Sequence, residues 1–517
     1  MMALSRCIRN TQRRYLSKRY PALENSDKPT MCAVEFKQKF NYLKKGERLA
    51  DMEPSIVLCG RISSIREASK KMYFYDIKRG NDKIQVLSQK QMFRSETDFT
   101  EVHLNLKLGD IVSVQGFPGR TKSNELSIIS RSVKLLSACM LDIPAGRGDG
   151  KYALKDKYLR HTKRHVDLLA NGAHSLEPFL IRNKVIKFLR EFLDNQGFVE
   201  VETPIIVQSA GGALAQPFKT RSRVAGDAEL CLRIAPELYL KQLVIGGIDK
   251  VYEIGKVFRN EGVSSVHNPE FTTCEFYNAY ADYKDLMKIT EIMIREMTRR
   301  VTGGTVLPSG VDVGPDFARI SVISELEEMY QLVPGTFPDV NDLERVNETG
   351  RRLEDLLMFK HGMVCEIHKD HSVARNCKIV DRMIGLDIEP RCTAPTFLCD
   401  HPLAMSPLAK EHPSCNGLSQ RFELFMLGKE VVNAYTELND PDEQMRRFEL
   451  QKYGHHATDD MDVDVMPIDA AYCRSLEYGL PPTAGWGMGV DRMVMMLSGR
   501  NSIRDVILFP MMAPHDK

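Results

Sequence analysis

Nowhere in the 517 residues is there an apolar run of about 18, the length a helix needs to cross a bilayer, so no membrane-spanning helix is expected. No two of the twelve cysteines form a C-x2-C pair. Their scatter argues against a disulfide framework and fits a reducing compartment. An excess of charge is lacking as well: 71 Lys+Arg stand against 69 Asp+Glu, a formal net +2. Contact with a nucleic acid would therefore have to come from local patches. There is no internal repeat, no low-complexity segment, and neither a Walker loop nor a G-x-G-x-x-G turn. What remains is a chain 43% hydrophobic, long enough for two or three domains with cores of their own.

One absence is local. Residues 1–23 contain no acid, Glu24 being the first, yet they carry Arg6, Arg9, Arg13, Arg14, Lys18 and Arg19. Leu4, Ile8 and Tyr15 fall near one helical face, with arginines off it. Arg-rich, acid-free and amphipathic is the composition of a mitochondrial transit peptide; the plainer alternative is a basic disordered tail. We expect residues 1–30 to be such a peptide and the protein to reach the mitochondrial matrix. Met31 offers a second start that would leave a cytoplasmic form.

Residues 54–138 read as five short strands, including SIVLCGRISSI, KMYFYDI, DKIQVL, DIVSVQGF and ELSIIS. Gly80-Asn81-Asp82 and Pro118-Gly119 read as turns between them. Five strands in so short a span suit a small barrel, and the OB-fold is the RNA-binding candidate of that size. We assign it to residues 31–140. Residues 141–177, with the basic stretch KYALKDKYLRHTKRH, read as a hinge plus helix. From 178 to 517 helical patterns alternate with apolar strand runs, which implies one large mixed domain and an α+β fold class. Cys365, His368, His371 and Cys377 tempt a metal reading. Their C-x2-H-x2-H-x5-C spacing is not a standard zinc pattern, and a helical insertion is the preferred account.

Three segments suggest chemistry. In YEIGKVFRNEGVSSVHNPEFTTCEFY (252–277), Arg259 stands beside an acid and could clamp a phosphate or carboxylate; Phe271, in a strand, could stack on a purine. A surface ion pair explains Arg259 equally well. In GLPPTAGWGMGVDRMVMML (479–497), glycines allow close backbone approach to a ligand, and Arg492 enters an apolar helix. In RFELFMLGKEVVNAYTELNDP (421–441), Glu423, Glu430 and Glu437 recur every seven residues. On a helix that spacing is a solvated acidic stripe, which alone is the favoured reading. On two strands turning at Leu427-Gly428-Lys429, the acids could converge in a cleft, where phosphates would call for Mg2+.

Taken together and in this order, FRNEG, HNPEF, NAYTELND and GWGMGVDR closely resemble the class II lysyl-tRNA synthetases. ETP at 202–204 resembles their dimer-interface signature. RIAPELYLK (233–241), IGGIDKVYEIG (245–255), DHPLAMSPLAK (400–410) and LFP (508–510) extend the likeness, which runs from roughly residue 35 to the end. The class I signatures HIGH and KMSKS are absent.

The resemblance, to a eukaryotic mitochondrial form by the N-terminus, implies an OB-fold anticodon domain followed by an antiparallel sheet flanked by helices. It implies ATP-dependent activation of lysine and its transfer to tRNA(Lys) by a homodimer using Mg2+. By the same likeness Arg259 and Arg492 are the catalytic arginines, and the ATP contacts are Arg259, Glu261, His267, Asn268, Phe271, Glu430, Gly489 and Arg492. Lysine falls to Gly212, Glu237, Arg259, Glu275, Tyr277, Asn433, Tyr435 and Glu437. Glu437 and Tyr277 match positions that grip the side-chain ammonium, and Glu423 and Glu430 match the Mg2+-binding acids. Arg66, Phe74, Gln85 and Glu125 match anticodon-reading residues, although barrel core is at least as natural a place for Phe74. Two departures stand out: Gln216, in GGALAQPF, replaces a basic residue of the pattern, and Arg221-Ser222-Arg223 replaces a His/Tyr-His-Asn stretch. The rival readings are a protein-modifying lysine ligase, which resembles the catalytic half only, and a non-catalytic regulatory paralogue. The barrel speaks against the first and the presence of Arg259, Glu430 and Arg492 against the second.

Overall fold

The computed structural model describes residues 20–53, 55–80, 82–93, 95–144, 153–209, 211–213, 215–223, 226, 228–363, 372–453 and 469–512. Residues 1–19 of the expected transit segment, and Cys365, His368 and His371, lie outside them. Among the described residues no helix is long and apolar enough to cross a membrane, and no cluster of three or more His, Cys, Asp or Glu is placed to hold a metal.

The chain divides into two compact units, residues 1–176 and 177–517. In the first, β1 (Ile56–Ser69), β2 (Met72–Arg79), β3 (Asp82–Gln89), β4 (Ile111–Arg120) and β5 (Leu126–Ser137) close into a barrel in the order β1-β2-β3-β5-β4. Alternation explains the closure: Tyr75, Ile77, Ile84, Val86, Val114 and Ile128 point inward and form one core, so each strand has an opposite, outward face. Pro118-Gly119 is not a turn. Both residues lie within β4, paired with Ile128 and Ser127, and the Pro118 carbonyl accepts from Leu49 N at 3.1 Å. A proline lacks only the donor, so it is tolerated where its N–H is not needed. The turn comes just after, at Thr121–Asn124, where Asn124 takes φ +69°. The helix Glu96–Asn105, absent from the strand pattern, buries Phe99 and His103 beside Tyr73 and Tyr75.

The stretch read as a hinge holds more helix than expected: Lys157–Thr162, Arg164–Asn171 and the start of Ala173–Asn195. Buried Asp167 ties the first two together by accepting from Arg160 at 3.1 Å and Arg164 at 2.8 Å.

The second unit is built on β6 (Val199–Glu200), β10 (Lys250–Phe258), β11 (Glu270–Ala279), β12 (Ala318–Ser321), β13 (Thr396–Cys399), β14 (Arg421–Met426), β15 (Lys429–Thr436) and β16 (Thr483–Gly489). Their order is β12-β13-β14-β15-β16-β11-β10-β6. The six central strands are antiparallel, as expected, but the short edge strands β6 and β12 pair in parallel, so the sheet is mixed. A separate small sheet holds β7 (Ile206–Val207), β8 (Lys219–Ser222) and β9 (Ala228–Leu232) in the order β7-β9-β8.

Even-numbered residues of β10, β11, β14, β15 and β16, among them Phe276, Trp486, Ala434 and Phe422, join the main core, which also takes in Leu286 and Met293 of the helix Tyr283–Thr302. The Trp486 ring stacks on Phe276 at 4.8 Å between centroids, and its Nε1 donates to Thr290 Oγ1 at 2.9 Å. That helix is fixed at both ends, by an Asp282–Asp285 capping box and by Gly303 at φ +86°. One face of the sheet is thus committed to packing, and the other is left for a site.

Candidate active site

Odd-numbered residues of the same strands point to the opposite face. The register aligns Glu275, Gly487, Asn433 and Glu423 in one row across four strands, and Tyr277, Gly485, Tyr435 and Arg421 in the next. Because β16 carries glycine at 485, 487 and 489, the middle of this face has no side chains, and a cavity of about 440 Å³ opens there. The glycines of GWGMG form its floor, with Trp486 and Met488 anchoring the strand from behind.

The three glutamates spaced by seven do not form a helical stripe. Glu423 and Glu430 sit on an antiparallel pair that turns at Leu427-Gly428, with φ of +53° and +65°, and Glu437 directly follows its second strand. Glu423 and Glu430 both line the cavity. Strict alternation from Asn433 would turn Glu430 away, but the register slips between Leu424 and Phe425 beside it, and such a bulge re-aims a side chain.

At one end of the cavity Arg492 donates to the Glu430 carbonyl at 2.8 Å, to Glu430 Oε2 at 3.2 Å and to His267 Nε2 at 3.1 Å. Burial, then the charges of Arg492 and Arg259, push the His267 imidazole down, so it is neutral and accepts from Arg492 while Nδ1–H serves Ser264 Oγ at 2.9 Å. Phe271 lies under Arg259, 5.2 Å from guanidinium carbon to ring centre, with Glu261 and Gly489 also on the wall. Asn268 lines the cavity too, but its side chain is engaged in the frame: Nδ2 donates to Glu270 O and Oδ1 accepts from Met511 N. Glu423 contacts Arg421 and lies 3.4 Å from His401. Burial pushes its carboxyl up, but Arg421 and then His401 outweigh that and hold it at about 2.

The other end is acidic and aromatic. Glu237 begins the helix Glu237–Ile245 and accepts from Tyr435 OH at 2.7 Å. Gly212, at φ +91°, lies against it; a Cβ there would stand 3.0 Å from Glu237 Cβ. Burial and then the Glu237 charge push the Glu275 carboxyl up to about 8, with Arg259 pulling back. Tyr277 is buried between these acids, its hydroxyl held protonated chiefly by burial.

Thus Gly212, Glu237, Arg259, Glu261, His267, Asn268, Phe271, Glu275, Tyr277, Glu423, Glu430, Asn433, Tyr435, Gly489 and Arg492 share one cavity. Glu437 does not reach its surface. It is 1% exposed, buried at the edge of the cavity with Oε1 over Gly485 and beside Tyr277, on the same face of the sheet. Three neighbours escaped the sequence reading: Arg421, His401 and Lys241. Arg421 shares the strand period with Glu423, and Lys241 lies one helical turn beyond Glu237, so both were detectable once the elements were fixed. Gln216 is exposed and off the cavity wall, although its carbonyl accepts from Asn260 N at 2.7 Å; Arg221 and Arg223 are exposed on β8 and just beyond it.

On the barrel, the outward residues Arg66 and Phe74 meet with the guanidinium carbon 4.5 Å from the ring centre. Phe74 is half-buried beside a small outer cluster of Leu87, Phe117 and Ile129, outside the barrel core. Gln85 accepts from Ser127 Oγ at 2.9 Å, and Glu125 is exposed just before β5.

A largely antiparallel sheet with a glycine-floored cavity between two arginines, preceded in the chain by a closed five-stranded barrel, is the architecture of a class II aminoacyl-tRNA synthetase. Residues 156–513 match the family described as tRNA synthetases class II (D, K and N), and residues 56–136 match the OB-fold nucleic acid binding domain. The chain is 42% identical over 491 residues to Lysine--tRNA ligase cla4 of Cladosporium cladosporioides, covering 92% of this chain and 79% of that one. It is 38% identical over 488 residues to the Lysine--tRNA ligase of Thermotoga maritima, covering 94% and 91%. The chain belongs to the lysine--tRNA ligase family.

Proposed function

We propose that the protein activates lysine with ATP in this cavity and passes it to the 3′ end of tRNA(Lys), in mitochondria and as a homodimer. The observation that carries the lysine assignment is the set of carboxyl groups at the closed end: Glu237 and Glu437 both pair with a single buried lysine, Lys241, and Glu275 lies near both acids. An amino acid bringing two ammonium groups fits such a surplus of acid; aspartate or asparagine does not. We assign the α-ammonium to Glu237 and the Gly212 backbone, the side-chain ammonium to Tyr277 and Glu437, and the carboxylate to Arg259 and Asn433. The purine lies between Phe271 and Arg492, with Glu261 at its amino edge and His267 by the phosphates.

A carboxylate ionised at neutral pH needs no general base to attack the α-phosphorus. The protein's contribution is to hold it in line and to surround the departing pyrophosphate with positive charge from Arg259 and Arg492. Glu423 and Glu430 are the residues that would hold a magnesium ion. One or two carboxylates are the usual protein share for Mg2+, Glu423 is held ionised, and no fuller cage exists among the described residues. When bound, that ion supplies further charge against the phosphates.

The mitochondrial role rests on the acid-free, arginine-rich residues 1–23, and the dimer on exposed Val199, Ile205 and Ile206 beside Pro204. ATP–pyrophosphate exchange on the purified protein tests the central claim. Exchange should depend on lysine; equal exchange with asparagine would refute it. Exchange with lysine but no charging of tRNA would favour a protein-modifying ligase.

A further inference from the structure

Lys241 follows Glu237 by four residues on one helix face. It is fully buried, yet its neighbours are polar. Nζ lies 2.5 Å from Glu237 Oε1, makes an ion pair with Glu437 Oε2, and stands 5.7 Å from the ring centres of both Tyr435 and Tyr472. Burying an ammonium is costly unless carboxylates replace its water, and here they do. Glu437 is engaged unevenly. Neither oxygen has a hydrogen-bond partner among the described residues; Oε2 is ion-paired with Lys241, whereas Oε1 lies over Gly485 on the cavity side of the strand, where a Cβ would clash with it. One oxygen is held by a cation of the chain itself, and the other lies on the cavity side of the glycine floor.

We infer that Lys241 is a positioning residue that sets specificity for lysine, holding Glu437 by one oxygen and leaving the other to receive the substrate's side-chain ammonium. This rests on the assignment of Glu437 made above. Glu237, Glu275 and Glu437 enclose the same water-poor space, together with Tyr277, Tyr435 and Tyr472. Carboxylates crowded in such a place share protons rather than ionise together. Burial pushes the Glu437 carboxyl up, and the Lys241 charge pulls it back. Burial also works against the charge on Lys241, but Glu237 and then Glu437 outweigh it and hold the ammonium protonated. A resident counter-ion therefore lowers the cost of ionising Glu437 before substrate arrives. Counting charges alone gives the opposite expectation, since deleting Lys241 makes the pocket more negative.

The test is lysine-dependent ATP–pyrophosphate exchange with Lys241→Met between pH 6.5 and 8.5. The KM for lysine should rise at least about thirtyfold at neutral pH and fall back toward the native value as pH rises and Glu437 loses its proton, while the KM for ATP stays within about twofold. In a Glu437→Gln background, adding Lys241→Met should change the lysine KM by less than about threefold. An unchanged or lowered lysine KM, a loss indifferent to pH, or a parallel loss of ATP binding would overturn the inference. Lys241→Gln takes the place of the methionine variant if that one does not fold. If neither folds, the residue is structural and the inference fails. Glu437→Gln alone separates the two levels: if it leaves the lysine KM unchanged, the assignment of Glu437 is at fault. If it raises the KM and the Lys241 variants do not, only the role of Lys241 is at fault.

Discussion

Burial drives the Glu275 carboxyl up to about 8, whereas a glutamate of the unfolded chain ionises near 4.5. Between those values the folded state keeps a proton that the unfolded state has released, so stability falls as pH rises through this window. Glu275→Gln removes the cost. The ligand-free variant should melt above the wild type at pH 8 and close to it at pH 4.5, as read by scanning calorimetry, and it should bind lysine less well. An equal difference in Tm at both pH values would rule this out. Glu437→Gln acts on substrate instead. An ammonium left without its carboxylate in a dry pocket costs roughly 3–5 kcal/mol, or a hundredfold or more in the lysine KM, with the ATP KM little changed. These residues were legible in the sequence through their likeness to a family. Arg421, His401 and Lys241 were not singled out, because their roles depend on neighbours far along the chain: Lys241 meets Glu437 only after β15 and the helix Glu237–Ile245 are packed together.

At the scale of the element, β16 shows how one strand serves two purposes. Ala484, Trp486 and Met488 fill the core while Gly485, Gly487 and Gly489 leave the other face bare. Gly485→Ala would bring a Cβ within 1.9 Å of Glu437 Oε1 and 2.6 Å of Tyr277 Cε1, with little freedom to shift on either side. Lysine-dependent exchange should fall by at least two orders of magnitude, while ATP binding followed by calorimetry persists; loss of both together would mean the strand itself had moved. On the barrel, Phe74 is half-buried on the outer face. Truncating a core phenylalanine costs about 3–5 kcal/mol, and Phe74→Ala should cost clearly less. A stacked base is worth roughly 1–3 kcal/mol, so the KM for tRNA should rise about tenfold to a hundredfold with normal lysine-dependent exchange. A barrel that melts early, or charging that is untouched, would remove Phe74 from anticodon reading. Short apolar runs separated by turn signals made all five barrel strands readable in advance. Pro118-Gly119 misled because turn residues are also allowed in a strand whose N–H is not used, and the seven-residue spacing of the glutamates suits two helical turns as well as a strand pair.

For the whole molecule, the proposals concern destination and assembly. A reporter carrying residues 1–23 should enter mitochondria, and neutralising the six basic residues should leave it in the cytosol; a reporter that stays cytosolic with the native segment would refute the targeting. Sedimentation should give twice the 58.7 kDa chain mass, and a monomer at micromolar concentration would refute the dimer.

By itself the sequence determined the α+β class, the barrel, the family and most of the cavity wall, since strand alternation and short motifs such as FRNEG and GWGMG are local and survive being read in one dimension. Only the tertiary structure decided three things. It made the sheet mixed, because the edge strands β6 and β12 take their direction from the chain's path. It aimed Glu430 into the cavity through a bulge against its partner strand. And it buried Glu437 over the glycine floor, against Lys241, because the protonation and reach of a buried acid are fixed by charges that only packing brings within a few ångströms.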